Sequence, residues 1–301
     1  MINSIFDSNS EQKVFKRLKT FWSKYVDVFP QIPVRNVVGF DNIKIFSNNI
    51  RIQNYLQKTS FDFVICELNT GRPILVIEFD GLSGGFSKES KFYIKKNPKE
   101  DIYRKLKMET KLSLCSSYQI PMIVVSYNES DILQESGDWI SILDVIIGDA
   151  IEKLYYKKNY AKYREILSEA YEFGGQKSVE FASIEIEVIQ DEQNPIKRKI
   201  REITSRFPIW SSQIVFPKEQ DEYIFGQFTL EWGGITLDNS FYTKKLINVD
   251  LKIRKVGIFD TDNMFLFNTI GEYCLARKTE RELGSDITKW QELIKKTEWT
   301  N

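Results

Sequence analysis

Ser60-Phe-Asp-Phe-Val-Ile-Cys-Glu-Leu68, Asn69-Thr-Gly71 and Arg72-Pro-Ile-Leu-Val-Ile-Glu-Phe-Asp-Gly81 form the stretch on which the fold turns. Two runs rich in β-branched and aromatic residues, joined by three residues ending in Gly, read as a β-hairpin. The glycine supplies the positive φ that such a loop needs. Both faces of the two runs are mostly apolar, which predicts strands central in a sheet and covered on both sides. The register follows from the loop. If Leu68 pairs with Arg72, the numbers of opposing residues add to 140, and Asp62 stands across from Glu78. Asp80, two residues beyond Glu78, falls on the same face. Like charges placed opposite each other repel, and buried carboxylates demand a compensating cation.

Two readings of these acids stand side by side. In one, Asp62, Glu78 and Asp80 hold Mg²⁺ or Mn²⁺, which favours a few carboxylate oxygens together with water and substrate phosphate. In the other, they end their strands in solvent or pair with Lys and Arg. Composition narrows the chemistry. The 301 residues contain no histidine, which removes Ser-His-Asp and Cys-His hydrolysis and His-ligated metals. Cys66, Cys115 and Cys274 stand far apart, with no C-x-x-C, so neither a zinc site nor a disulfide framework is expected. There is no G-x-x-x-x-G-K-[ST], which argues against a nucleotide-driven motor. Carboxylates, lysines, hydroxyls and an oxygen-liganded metal are what remains.

Charge is balanced overall, 42 basic against 42 acidic, but unevenly placed. From Gly85 to Cys115 nine basic residues face four acidic ones, a net +5, whereas 112–150 holds six acids and no Lys or Arg. Lys88, Lys91, Lys95, Lys96, Arg104 and Lys107 are therefore candidates for holding nucleic-acid phosphates. Arg104, Lys107 and Lys111 fall at i, i+3, i+7 and form one helical stripe, which reads equally as a solvated face.

Outward from the hairpin, apolar spacing predicts a helix over 10–26 and loop with short strands over 28–58. A Gly/Ser/Lys-rich loop follows over 82–99, then a basic helix over 100–118 and a buried strand over 119–127. Helix, strands, helix, strand is an α/β order. A first domain is expected over 1–150 and an α+β domain over 151–301, divided somewhere between 150 and 177. The second should contain a helix over 150–172 ending near Gly174-Gly175, and a half-buried strand over 178–190, where Ile184, Ile186 and Val188 alternate with Glu185 and Glu187. Strands at 212–216, 223–232 and 246–258 and helices at 195–206, 269–281 and 286–297 complete it.

Asp62, then Glu78-Phe-Asp-Gly81, then a helix ending Lys111-Leu-Ser-Leu-Cys-Ser-Ser-Tyr-Gln-Ile-Pro121 before a strand resembles the PD-(D/E)XK nuclease superfamily. More narrowly, it is similar to an E-x-D-G branch of Vsr-like endonuclease domains. The resemblance covers about residues 8–128. It implies a restriction-endonuclease-like core, a mixed sheet flanked by helices, in which the Asp and the Glu bind the metal. A helical acid near the N-terminus, matched by position at Glu11, can join them, and a helix supplies a basic residue. Two departures stand out. The usual Lys two residues after the Glu is Asp80 here, and the His that often follows the Gly is missing. Lys111 could stand in as a lysine moved onto the helix, a role for which Lys107 is also a candidate.

The resemblance therefore implies a metal-dependent endonuclease that cleaves DNA, with Asp62, Glu78 and Asp80 as metal ligands and Lys111 and Glu11 as catalytic groups. The implied setting is restriction or anti-phage defence. The alternative is a catalytically inactive nuclease-fold subunit, acting as a DNA-binding or scaffolding module with protein partners on its C-terminal domain. Met1–Asp7 shows no basic segment leading into a long apolar run, and no stretch approaches the length of a bilayer span. A cytoplasmic protein with no membrane association is the expectation.

Overall fold

The computed structural model describes residues 6, 9–79, 85–86, 93–94, 98–125, 141–206, 212–220, 223–232, 245–254 and 263–298. The chain divides into two compact units. The first takes in Met1–Ile132 with Lys255–Thr261, and the second Leu133–Arg254 with Asp262–Asn301.

The first unit runs α1 (Asn9–Trp22), β1 (Val26–Pro33), three short helices α2 (Val34–Val38), α3 (Phe40–Phe46) and α4 (Ile50–Lys58), then β2 (Ser60–Glu67) and β3 (Pro73–Phe79). After the two-residue strands β4 (Gly85–Phe86) and β5 (Tyr93–Ile94) come α5 (Pro98–Ser117) and β6 (Met122–Val125). Four strands form one mixed sheet in the order β1-β2-β3-β6, antiparallel except for the parallel β3–β6 pair. β1 carries Pro30 and Pro33 and lies at the edge, where a missing N–H breaks no ladder. The sequence places a helix through residue 26, but Val26 already pairs with Glu67 as the start of β1. Most of 34–58 is helical rather than loop and short strand.

The sheet is covered on both sides, as its apolar strands require. Alternation puts Val64, Cys66, Val76, Met122 and Val124 on one face, packed in a core cluster with Leu114 and Cys115 of α5 and with residues of α2–α4. From the other face Phe63 stacks on Phe15 of α1 at 6.5 Å between ring centroids. Each fully buried aliphatic or Phe side chain here contributes roughly 1.5–3 kcal/mol.

The hairpin departs from its expected turn and keeps its expected register. Leu68 and Arg72 do not pair; instead the Glu67 N–H donates to the Arg72 carbonyl at 2.9 Å, and Cys66 stands opposite Pro73. Asn69 at φ 69° and Gly71 at φ 64° complete the turn. A bulge between Ile65 and Cys66 then takes up the offset, so that Ile65↔Leu75, Val64↔Val76 and Phe63↔Ile77 follow the expected pairing. One further step in that register brings Asp62 across from Glu78.

The second unit contains α6 (Ile142–Gln193), α7 (Pro195–Thr204), the antiparallel sheet β7 (Ser212–Gln220), β8 (Tyr223–Trp232), β9 (Lys245–Arg254), and α8 (Asn263–Glu298). It thus joins helices to a second sheet. The strand expected at 178–190 is helix, and the helices expected at 269–281 and 286–297 are one. The error at 178–190 has a plain cause: apolar residues there satisfy period 2 and period 3.6 together. Buried Ala182 and Ile186 mark the helical period actually used.

α6 is a hairpin of two arms rather than one rod. The 46 positions from Gly148 to Asn194 would span about 69 Å as a straight helix. Yet the Asn194 carboxamide lies so close to Gly148 that any side chain there would collide with it. The reversal falls at Gly175, whose φ 64° and ψ −153° only glycine adopts readily. At the base, Lys197 bridges Glu152 of the first arm at 2.9 Å and Asp191 of the second at 2.6 Å. Among the described residues no helix is long and apolar enough to cross a membrane.

Candidate functional site

The site is built where β2 and β3 meet α1, β1 and α5. Asp62 lies one residue beyond the Phe63↔Ile77 pair of β2 and β3, and its Oδ2 accepts the Phe79 N–H at 2.7 Å. This main-chain bond ties the acid to the strand that carries Glu78. Glu78 sits at 5% exposure, and its Oε1 accepts from the Lys111 ammonium at 2.7 Å. The same ammonium donates to the Ser60 carbonyl at 2.7 Å and lies 5.5 Å from the centroid of the Phe61 ring. Lys111 therefore crosses from α5 onto both central strands of the sheet, 33 residues away from Glu78 in sequence.

Glu11 joins from the first turn of α1, itself buried at 7% exposure. It is linked through Gln31 of β1, whose Nε2 reaches Glu11 Oε2 at 3.3 Å and Asp62 Oδ1 at 3.4 Å. Gln31 adopts φ 51°, a left-handed conformation uncommon for a residue with a Cβ, and it does so while bridging two acids.

The electrostatics are those of a desolvated cluster. Burial pushes the Glu78 carboxyl up to about 8; Lys111 opposes this rise and Asp62 adds to it. Burial works against the Lys111 ammonium, but Glu78, Tyr55 and Asp62 hold its pKa above the ordinary value. Lys111 is thus a fixed positive charge across the neutral range, while Glu78 can take or release a proton within it. Tyr55 on α4 is raised chiefly by burial, with Lys111 opposing, and its ring lies under the Lys107 ammonium at 5.9 Å.

Of the residues singled out in the sequence, Asp62, Glu78, Lys111 and Glu11 come together. Lys107 is exposed four residues before buried Lys111, so the basic stripe divides into one interior and one surface lysine. Arg104 belongs to α5, and its side chain lies outside what is described. Asp80, Lys88, Lys91, Lys95 and Lys96 all lie outside the described residues. Among the described residues no group of three or more Cys, Asp or Glu is placed to hold a metal ion. The acids meet in pairs, around Gln31 and around Lys111. Their chemistry nevertheless suits a hard cation: Glu78 and Asp62 both act on the one Lys111 ammonium, and their ligand atoms are carboxylate oxygens.

Sequence reading missed Gln31, Ser60 and Tyr55. Ser60 acts through its main-chain carbonyl, which no residue type can signal. Gln31 lies between Pro30 and the Ile32-Pro33 pair, a context that shows an edge strand and says nothing of a bridging amide.

A family model described as a protein of unknown function (DUF2726) matches residues 3–138, which takes in every residue of this site. No curated protein and no solved structure matches the chain.

Proposed function

We propose that the first unit is a restriction-endonuclease-like domain that cleaves DNA with the help of Mg²⁺ or Mn²⁺, in the setting of restriction or anti-phage defence. The observation that carries this reading is the Lys111–Glu78 contact at 2.7 Å beside Asp62. The resemblance implies a basic residue supplied by a helix, and α5 brings Lys111 onto Glu78. The order helix, three antiparallel strands with short helices between the first two, helix, parallel strand also supports it.

Asp62 and Glu78, with Asp80, would hold the cation, which when bound supplies charge stabilisation at a phosphoryl oxygen. The chain's own groups do the rest. Lys111, kept protonated, orients water and stabilises negative charge developing on the phosphate. Gln31 holds Glu11 and Asp62 together, offering a donor to each where two carboxylates would otherwise repel. Exposed Lys107 is available to the phosphate backbone.

The test is Mg²⁺- or Mn²⁺-dependent cleavage of duplex, single-stranded and branched DNA by the full chain. Glu78→Ala and Lys111→Ala should each lower the cleavage rate at least a hundredfold with DNA affinity nearly unchanged. No cleavage of any substrate by the wild-type protein sinks the proposal. The second reading, a non-catalytic DNA-binding or scaffolding module, draws on one observation: Glu78 is already engaged by Lys111, so a cation must compete with an ammonium for it. DNA binding without cleavage, indifferent to both substitutions, would establish that reading.

A further inference from the structure

The α6 hairpin leaves two stripes of side chains uncovered, one on each arm. On the second arm Phe181, Ile184 and Val188 recur at i, i+3, i+7 and are 70%, 57% and 43% exposed. They point away from Ala182 and Ile186, which are buried. Glu180, Glu185 and Glu187 flank this apolar row, and 178–190 contains no basic residue. On the first arm Lys157, Tyr160, Arg164 and Tyr171 follow the same helical spacing, with both tyrosines exposed. Between 153 and 164 there are five basic residues and no acid.

Both rows therefore have the seven-residue spacing of a coiled-coil seam, with opposite charge around them. Those charges are not consumed inside the hairpin. Lys157, Lys162, Arg164, Glu180, Glu185 and Glu187 make no ion pair with another described residue. The Phe181, Ile184 and Val188 row is an exposed apolar strip rimmed by polar residues, the kind of patch that marks an interaction site.

We propose that the hairpin is a dimerisation element, and that a second copy of this chain covers it. The basic, tyrosine-bearing row of each copy lies against the acidic, Phe181-bearing row of the other. A two-fold axis makes the two contacts identical, so the interface closes and no row is left open. The area agrees. At about 150–250 Å² for a whole aromatic side chain, the uncovered parts of Tyr160, Tyr171, Phe181, Ile184 and Val188 sum to roughly 500 Å² per copy. A standard interface of about 800 Å² per partner, somewhat more than half non-polar, needs about that much.

Sedimentation velocity on the full chain from about 1 to 100 µM tests this directly. Wild type should be a dimer whose dissociation constant rises with salt. Phe181→Asp with Ile184→Asp, at positions exposed enough to spare the fold, should weaken it at least tenfold while circular dichroism stays unchanged. Lys157→Glu with Arg164→Glu should be monomeric, and so should Glu180→Lys with Glu187→Lys. Mixing the last two proteins should restore a heterodimer, because each reversed row then meets its complement. A wild-type monomer throughout the range overturns the proposal, as does a dimer that survives Phe181→Asp with Ile184→Asp.

Discussion

Glu78→Gln should remove a slope from the pH dependence of stability. In the folded chain burial holds the Glu78 carboxyl at about 8, against 4.5 for the free side chain. Between those values the folded protein keeps a proton that the unfolded chain has released. Stability therefore falls as pH rises, by about 1.4 kcal/mol per unit. Over the whole window the loss is on the order of 5 kcal/mol: the stability is present in full below pH 4.5 and gone above pH 8. Glutamine binds no proton, so the variant lacks this component while sharing every other titrating group. Lys111, raised above its ordinary value, stays charged through the window and adds nothing to the slope. Urea unfolding of both proteins at half-unit steps from pH 5 to 8.5 gives the difference curve. Wild type should lose ground steadily to the variant as pH increases. Under the nuclease reading a cation at Glu78 would favour the ionised carboxylate, and saturating Mg²⁺ should then narrow the window from its upper edge. Parallel stability curves for the two proteins would refute the argument, since they would mean that Glu78 titrates alike folded and unfolded.

Lys111→Met deletes the hydrogen bonds to Glu78 and the Ser60 carbonyl and should cost about 1–3 kcal/mol in urea unfolding. Adding Glu78→Leu to it should bring stability back toward wild type, because a buried pair replaced on both sides avoids the orphaned polar group. Gly175→Ala forces a Cβ into φ 64°, ψ −153° and should destabilise the second unit by roughly 1–3 kcal/mol, seen as a lower melting temperature. Gln31→Leu withdraws the amide shared by Glu11 and Asp62. Under the nuclease reading kcat should drop at least tenfold with KM nearly constant, and an equal rise in KM alone would place Gln31 in binding instead.

Much of the first unit was readable because its signals are local. The strands 60–67 and 73–79 carry period and propensity in the same residues, and the pairing expected of them holds at Phe63↔Ile77. Even so, that register is reached through a bulge that no residue announces. Lys111 was separable from Lys107 in sequence only by resemblance. What makes it different is burial, 6% exposure against a surface position one turn earlier. The second unit was harder. At 178–190 two periodicities coincide, and whether Ile184 faces inward depends on where the first arm lies, which is information held 20 to 40 residues away.

By itself the sequence determined the hairpin, its acids on neighbouring strands, the basic helix after them, and the exclusion of histidine chemistry. Each of these is a statement about residue type or about neighbours within a few positions. Tertiary structure alone decided that Glu11, Gln31, Asp62, Glu78 and Lys111 meet, that α6 doubles back at Gly175, and that Glu78 holds its proton toward pH 8. These depend on distance and on desolvation. Both are set by packing between segments far apart in the chain, and neither is written into any single stretch of it.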